Sequence, residues 1–308
     1  MTGEPVAPAG DKTVSISEPR SMFGARVRES LWCYAFVTVP MVVFGLFFIY
    51  PFGYAIFISF YNWGILGKQS SAGFHNYYKV LTDPIFHIAI KNTLEFTAGV
   101  VPLEMALGLS MALILNAAIR GKAFFRSAFY FPSVASSVAI TTIALFLLNS
   151  DGLFNRIIGS HSPWFTTAST ATWAIVGLNA WTTSGTVMLF YLAALQSIST
   201  DVYEAAALDG ASTWRTFWKI TFPLLRPAHF FVLVVFGIGA LKIFDQAFIV
   251  SQGTGGPNYA TTTGVMYIYL QAFKNFTFGI AAAAGVVLFV IIFVLTLLQR
   301  LTVGREAT

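Results

Sequence analysis

Charge and cysteine are both scarce in this sequence. Only 10% of its 308 residues are charged and 56% are hydrophobic, whereas about 25% of the residues of an ordinary soluble domain are charged. A soluble fold of this length would need far more polar surface, so the composition excludes a soluble protein and indicates an integral membrane protein. Cys33 is the only cysteine, which excludes an internal disulfide and any cysteine-based metal site.

Several sequence motifs are also missing, and each missing motif argues against one class of function. The sequence holds no G-x-x-x-x-G-K-[ST] phosphate loop, so we expect this chain to bind no cofactor and to hydrolyse no ATP alone. The four histidines are scattered, which predicts no metal site. The net charge of +5 comes without a basic stripe carrying base-stacking aromatic residues, so we expect no nucleic-acid partner. Titratable groups within the apolar stretches are too few for a membrane-embedded enzyme.

Six apolar stretches are long enough to cross a bilayer, which takes about 20 helical residues. They are Leu31–Phe57, Thr93–Ala118, Ser127–Leu148, Thr172–Leu195, Pro227–Val250 and Phe278–Leu301. We therefore predict an all-α, polytopic membrane fold with six transmembrane helices. Pro40 and Pro51 predict a kink or break in the first helix. Residues 76–92 could lie along the membrane surface before the second helix.

The polar ends of the chain predict its domain organisation. Residues 1–30 are polar and aperiodic, which predicts a flexible tail. They do not resemble a signal peptide, because the apolar run that follows comes late and is too long. Residues 31–302 form the predicted transmembrane domain, and residues 303–308 form a short C-terminal tail.

Lysine and arginine are unevenly divided between the segments that connect the six stretches. With the N-terminus inside, the inner segments hold Lys12, Arg20, Arg26, Arg28, Arg120, Lys122, Arg126, Arg215, Lys219, Arg226, Arg300 and Arg305. The outer segments hold only Lys68, Lys79, Lys91, Arg156 and Lys274. Because positive residues favour the cytoplasmic side of a membrane, both termini are predicted to be cytoplasmic.

A polar segment, residues 201–223, separates the fourth and fifth stretches on the predicted cytoplasmic side. Asp201, followed three residues later by Glu204, is typical of a helix start. Gly210 predicts a break in that helix, and Ser212 can cap a second short helix. The pattern predicts a helix–Gly–helix unit.

The second short helix carries an aromatic face. Trp214, Phe217 and Trp218 are spaced three and four residues apart and therefore share one side of a helix. Pro223 is expected to end this helix before the next span. On these grounds alone the unit is either an ordinary amphipathic loop at the membrane surface or a surface gripped by another protein.

The stretch EAAALDGASTWRTFWKITFPLL resembles the EAA loop of the permease subunits of bacterial ATP-binding-cassette (ABC) importers. The matching positions are Glu204, Ala205, Ala206, Asp209, Gly210, Ala211, Phe217, Ile220, Thr221 and Pro223. The resemblance implies a type I importer permease fold in which this loop is a cytoplasmic coupling helix that docks on a separate ATPase. The small residues would let the ATPase come close, and Glu204 would pair with its basic groups.

Similarity to this family covers most of the chain beyond the tail. Three further stretches resemble segments of the family: FHNYYKVLTDPIFHIAIKNTLEFT, LNAWTTSGTVMLFYLAALQSISTDVYEAA and FDQAFIVSQGTGGPNYATTT. The first of them contains Asn92 and Thr93. The combination is typical of the carbohydrate-uptake branch, the maltose and glycerol-phosphate type. The run between Asp245 and Gly255 is longer than usual, and no large outer domain is present.

The resemblance also implies a set of partners. This chain would pair with a second, homologous permease subunit, two ATPase subunits carrying ATP and Mg, and an extracytoplasmic sugar-binding protein. In the bacterial inner membrane it would move a sugar or oligosaccharide by alternating access. Glycerol phosphate or another polar solute is the alternative for the same machinery. A stand-alone secondary transporter would need inverted repeats, and the sequence shows none that is convincing.

Amide, acidic and aromatic side chains in the fourth and fifth stretches are candidates for the substrate path. Sugars are bound by hydrogen bonds from amides and acids and by stacking on aromatic rings. The candidates on this basis are Asn179, Trp181, Phe236 and Gln246, and helix packing is the alternative role for each. The family resemblance places the path near the middle of the fifth span, and so adds Gly239 and Ala240.

Four charged residues at membrane depth are functional candidates by default. Lys242 and Asp245 lie three residues apart near the outer end of the fifth stretch, where they either pair with each other and cap the end of the span or take part in sugar contact or gating. Glu95 and Glu104 lie in or near the second stretch. They either pair with another subunit or face a water-filled cavity.

Overall fold

The computed structural model describes residues 22–117, 120–159, 161–162, 164–165 and 167–302, which are mostly helical. Most of the predicted N-terminal tail, the predicted C-terminal tail and Ala118, where the second span was predicted to end, lie outside the described residues. The chain divides into two compact units, residues 1–54 and 55–308.

The first unit contains helix α1 (Met22–Phe44), a π-helical turn (Gly45–Ile49) and the start of helix α2 (Tyr50–Ser59). The irregularity predicted from the prolines takes the form of this turn, which lies between Pro40 and Pro51. Proline has no N–H to donate, and a π-helical turn absorbs such a defect without ending the helix. Helix α1 begins inside the segment predicted as tail, because alanine, arginine and glutamate there favour a helix.

The second unit contains one β-hairpin and the remaining helices. From the hairpin to the centre of the chain the elements are β1 (Tyr61–Gly64), β2 (Gly67–Ser71), α3 (His75–Thr82), α4 (Pro84–Asn116), α5 (Lys122–Val134), α6 (Ser137–Leu147), α7 (Leu153–Ile158) and α8 (Ala168–Gln196). The later elements are α9 (Thr200–Leu208), α10 (Thr213–Thr216), α11 (Phe222–Leu224), α12 (Arg226–Leu241), α13 (Asp245–Val250), α14 (Gly264–Tyr269) and α15 (Phe278–Thr302).

The hairpin departs from the all-α prediction. Strands β1 and β2 pair antiparallel, with Tyr61 opposite Ser71. Gly67 stands at the turn with a φ of +86°, which only glycine adopts freely. The side-chain amide of Asn76 donates to the carbonyl oxygens of Ser59 and Tyr61, each at 2.9 Å, and so ties the hairpin to α3. Strands this short give too weak an alternating pattern to be recognised in the sequence.

Helices occupy all six stretches that the sequence predicted as spans. Four spans are long and apolar enough to cross a membrane by themselves: Glu29–Ser59, Pro84–Asn116, Arg226–Val250 and Phe278–Thr302. Helices α5 and α6, bent by 92° at their junction, form a fifth if they are taken as one span. Helix α8 has 29 residues, but Asn179, Thr182 and Thr183 make its middle more polar. The count of six spans therefore stays a prediction.

The second span begins earlier than predicted. Asp83 caps α4 by accepting a hydrogen bond from the N–H of Ile85 at 2.8 Å, and Pro84 occupies the first turn, where its missing N–H costs nothing. Residues 84–92 therefore belong to α4 and do not form a separate surface segment. Only α3 precedes the span.

Helices α4 and α8 form the centre of the second unit. At Gly108 of α4 a Cβ atom would overlap the side chain of Val187 on α8. At Gly185 of α8 a Cβ atom would overlap the carbonyl oxygen of Phe129 on α5. Small residues allow such close approach between apolar helices. The tight packing brings the polar middle of α8 against the end of α5.

Candidate functional site: a polar cavity and the 199–225 loop

A cavity of about 360 Å³ lies where two of the spans are interrupted. Its walls come from the junction of α5 and α6, the middle of α8, the junction of α12 and α13, and one residue of α4. The lining residues are Glu104, Pro132, Ser133, Ala135, Ser137, Ile140, Asn179, Thr182, Thr183, Phe236, Gly239, Ala240, Lys242, Ile243, Phe244, Asp245 and Gln246. The volume falls within the usual range of small-molecule sites, about 300–1,000 Å³.

The junction of α12 and α13 supplies the most polar wall of the cavity. Helix α12 ends at Leu241, and Phe244 has left the helical conformation, with φ −138° and ψ −55°. The carbonyl of Ile243, freed by the break, accepts a hydrogen bond from the hydroxyl of Thr263 at 2.8 Å. Irregular backbone at membrane depth is tolerated where it is buried in protein or lines a cavity. The break turns Lys242, Asp245 and Gln246 toward the cavity.

The structure brings together all but one of the residues predicted for the substrate path. Asn179, Phe236, Gly239, Ala240, Lys242, Asp245 and Gln246 line the cavity. Trp181 does not: it is about half exposed and lines an adjacent apolar groove beside Leu178. Two helical steps of about 100° separate Trp181 from Asn179, so the two side chains lie on opposite sides of α8. Trp181 therefore does not line this cavity, and its place on the substrate path stays a prediction.

Lys242 and Asp245 do not form the ion pair that was one of their two predicted roles. Both residues are described and exposed, and no salt bridge joins them. The break after Leu241 separates them from regular helical spacing. Both charges instead lie on the cavity wall, and their other predicted role, sugar contact or gating, stays a prediction.

The two glutamates of the second span, whose roles the sequence left open, have different surroundings in the structure. Glu95 lies on the exposed side of α4 and pairs with Lys91 at 3.4 Å. Glu104 is 2% exposed and lines the cavity, where the hydroxyl of Thr183 donates to its Oε1. Sequence reasoning could not separate them, because their spacing of nine residues does not show which helix face is covered.

The helical loop begins at Ser199, two residues before the predicted start. The hydroxyl of Ser199 accepts a hydrogen bond from the N–H of Asp201 at 3.3 Å, so Ser199 and not Asp201 is the N-cap of α9. Asp201 lies in the first turn, where its negative charge is favoured by the helix dipole. The prediction of a helix here is confirmed, and its capping residue is corrected.

Gly210 ends α9 in the way its sequence position predicted. Its φ is +70°, its N–H reaches the carbonyl of Ala207 at 3.1 Å, and the N–H of Ala211 reaches Ala206 at 3.0 Å. These two bonds define a Schellman motif, in which glycine supplies the left-handed residue. Ser212 then caps α10 by accepting from a backbone N–H at 3.4 Å.

The aromatic face of the second short helix is confirmed. The ring of Trp218 lies 5.7 Å from that of Trp214 and 4.9 Å from that of Phe217, measured between ring centroids. Pro223, however, does not end the helix. Helix α10 continues through a π-helical turn, Phe217–Thr221, into α11, where Pro223 occupies the first turn and needs no hydrogen-bond acceptor.

The loop forms a two-helix unit whose surface carries acidic, basic and apolar side chains. The hydroxyls of Tyr203 and Thr221 lie 3.3 Å apart and connect its two helices. Glu204, Ala205, Asp209 and Gly210 are exposed, Ala206 is buried, and Ala211, Phe217, Ile220 and Pro223 are half-buried. Leu208 is 90% exposed and Trp214 is 72% exposed. Such a surface is suited to binding another protein.

Asn92 and Thr93 hold the loop that follows α13. The side-chain amide of Asn92 donates to the carbonyl oxygens of Tyr259 at 2.8 Å and Thr262 at 3.0 Å. The hydroxyl of Thr93 accepts from the N–H of Gly264 at 2.9 Å. Gly255 and Gly256 have positive φ values of +91° and +74° in this loop. The two sequence segments that resembled the family at these positions are therefore in direct contact.

These features are those of a class of membrane protein. Apolar helices long enough to span a membrane surround a polar cavity at the breaks of two spans, and a stiff polar loop connects α8 to α12. Interrupted helices around a polar cavity are characteristic of membrane transport proteins.

Comparison with known proteins identifies the family. The profile described as binding-protein-dependent transport system inner membrane component matches residues 104–306. A probable ABC transporter permease of Bacillus subtilis is 33% identical over 278 residues, which are 88% of this chain and 90% of that protein. The multiple sugar-binding transport system permease protein MsmF of Streptococcus mutans is 34% identical over 279 residues, which are 89% and 96% of the two chains.

A solved structure shares the fold. A chain in the crystal structure of a bacterial alginate ABC transporter, in complex with an alginate pentasaccharide-bound periplasmic protein, superimposes with a TM-score of 0.78 at 24% identity. The match covers 92% of this chain and 98% of that chain. The chain thus belongs to the family of binding-protein-dependent transport system inner membrane components, the permease subunits of ABC transporters. It is a transport component and not a catalytic subunit.

Proposed function

We propose that this chain is the permease subunit of a bacterial, ATP-driven importer that moves a neutral sugar or oligosaccharide through the cavity between α8 and the α12–α13 break. The observation that carries the proposal is the composition of the cavity wall. The amide groups of Asn179 and Gln246 and the hydroxyl group of Thr182 lie beside two aromatic rings, those of Phe236 and Phe244. Hydrogen bonds and ring stacking of this kind suit a polyhydroxylated ligand. The name of the Streptococcus relative supports the same substrate class.

The charges of the cavity favour a neutral ligand over a phosphorylated one. Lys242 is the one cationic side chain among the lining residues, and it shares the wall with Glu104 and Asp245. A phosphate group carries up to two negative charges and is usually held by clustered cations, whereas here two carboxylates share the wall with a single cation. Glycerol phosphate is therefore the weaker candidate.

The 199–225 loop acts in this proposal as the coupling helix. Its exposed acidic and small residues Glu204, Ala205, Asp209 and Gly210 would enter a groove on the ATPase, and its half-buried residues Ala211, Phe217, Ile220 and Pro223 would hold the unit stiff. Buried Ala206 keeps α9 close to the rest of the chain. Movement of the ATPase would then be transmitted to α8 and α12, between which the loop lies in sequence.

The proposal includes the rest of the assembly. The chain has six spans and both termini in the cytoplasm, and it pairs with a second permease subunit and two ATPase subunits, which bind ATP and Mg. An extracytoplasmic binding protein delivers the sugar. ATP binding and release would favour outward-open and inward-open states in turn, since a ligand shifts only an equilibrium whose two states it binds unequally.

Uptake by the complete importer tests the substrate class. The importer is reconstituted in vesicles with its binding protein, and ATP is supplied on the ATPase side. Radiolabelled maltose, lactose and raffinose are compared with glycerol 3-phosphate. We expect ATP-dependent uptake of at least one sugar and none of glycerol 3-phosphate. Uptake of glycerol 3-phosphate with none of the three sugars would contradict the proposal.

A further inference from the structure

Glu104 is a buried carboxylate with one oxygen left without a partner. It lies in the wall of the cavity, 2% exposed, within the 33-residue helix α4. The Thr183 hydroxyl donates to Oε1, whereas Oε2 has no hydrogen-bond partner among the described residues. No salt bridge reaches Glu104 from the described part of the chain, although Lys242 lines the same cavity.

Such an arrangement is costly unless something else binds Oε2. Leaving a buried polar atom unpaired costs about 1–3 kcal/mol, and more when the group is charged. Helix packing alone does not account for it, because an apolar side chain of similar size would fill the same space without that cost. Glu95 shows the ordinary alternative on the same helix, since it is exposed and paired with Lys91 at 3.4 Å.

Thr183 fixes the direction of the carboxylate. Its hydroxyl lies within hydrogen-bond distance of both Glu104 Oε1 and, at 2.7 Å, the backbone carbonyl of Asn179. Thr183 is part of α8, and when its single hydroxyl proton is donated to Oε1, it orients a side chain from α4. With Oε1 held in this way, Oε2 is the acceptor that remains; it is buried at the cavity wall, so a molecule in the cavity reaches it once the wall opens at Glu104.

We propose that Glu104 is a substrate-contact residue whose Oε2 accepts a hydrogen bond from a hydroxyl group of the transported sugar, and that Thr183 is its positioning residue. The inference rests on the proposed function, since it assigns a role within the same cavity. Glu104 favours ligands that donate a hydroxyl hydrogen and disfavours ligands that are negatively charged at that position. It adds α4 to the helices that contact the substrate.

The test compares sugar transport with ATP hydrolysis in the complete reconstituted importer. The probes are maltose, lactose and raffinose, and the variants are Glu104→Gln and, as a matched control on the same helix, Glu95→Gln. A hydrogen bond to a charged group contributes enough to expect a fall in sugar transport of about 10- to 100-fold for Glu104→Gln. ATP hydrolysis is expected to fall much less, so that fewer sugars are moved per ATP. Glu95→Gln is expected to behave as the wild type.

Each outcome bears on a different claim. If Glu104→Gln moves as many sugars per ATP as the wild type, the role of Glu104 is refuted while the proposed function stands. If the wild type moves glycerol 3-phosphate and none of the three sugars, the proposed function itself is contradicted. If Glu104→Gln does not assemble, the variants Thr183→Val and Thr183→Ser test the proposal instead. A loss of sugar transport in Thr183→Val that is absent in Thr183→Ser supports the proposal. Unchanged sugar transport by Thr183→Val overturns it.

Discussion

The substitution Gly210→Asp tests whether the 199–225 loop docks on the ATPase without disturbing how the chain folds. Gly210 has a φ of +70° at the end of α9, and no atom lies within 4 Å of the position that a Cβ would take. The Cβ of the new side chain therefore meets no obstacle among the residues that the structure describes. If Gly210→Asp causes a loss larger than local backbone strain explains, the contact that is lost must be with a partner protein that approaches Gly210 closely.

The local cost can be worked from the structure. A non-glycine residue in the left-handed region costs about 1–2 kcal/mol, and a negative charge at a helix C-terminus costs about 0.3–1 kcal/mol. The sum, about 2 kcal/mol, acts on one exposed turn and leaves the spans unaffected. Gly159 offers a matched control. It has a φ of +67° at the C-terminal end of α7, with no atom within 4 Å of its Cβ position, so Gly159→Asp carries the same local cost.

The assay measures the amount of ATPase that copurifies with each variant and the rate of ATP-driven sugar uptake. We expect Gly210→Asp to lose most of both while the variant chain stays in the membrane, and Gly159→Asp to keep both close to the wild type. Normal copurification and uptake by Gly210→Asp would refute the coupling role of the loop. Equal losses in the two variants would show that strain at a helix end, and not docking, is responsible.

Two further predictions concern the cavity and the helix packing around it. Lys242→Ala should lower sugar uptake by the reconstituted importer more than it lowers copurification of the subunits. The reason is that Lys242 lines the cavity without an ion-pair partner among the described residues. Equal losses of uptake and copurification would mean that Lys242 has a structural role. Gly185→Ala should destabilise the chain by about 1–3 kcal/mol, because its Cβ would overlap the carbonyl oxygen of Phe129. Gly177→Ala on the same helix meets open space and should not destabilise it, and equal melting temperatures of the two variants in detergent would contradict the packing argument.

The sequence predicts those helices whose position is determined by hydropathy alone. All six apolar stretches are helical, and the capping and glycine signals at Gly210 and Ser212 were interpreted correctly, because these effects depend on a few neighbouring residues. The 92° bend between α5 and α6 was not predicted. It falls at Ala135 and Ser136, within one turn of Pro132, whose missing N–H weakens the end of α5. The sequence alone does not give the size of the bend.

The cavity could be predicted only in part. Polar residues within an apolar stretch pointed to Asn179, Lys242, Asp245 and Gln246, since such residues need a polar environment in a membrane. The break at residues 242–244 that turns three of them toward one space depends on a tertiary hydrogen bond, from Thr263 to the carbonyl of Ile243. The sequence pattern contains no sign of that contact.

The composition of the complex tests the central claim most directly. The chain is tagged, extracted gently from its native membrane, and the proteins that accompany it are identified; the chain is also reconstituted alone. The account predicts an ATPase and a second, homologous permease subunit in the extract, and no solute transport by the isolated chain. A chain that emerges without partners and moves solute when reconstituted alone would contradict the account and indicate a self-sufficient transporter.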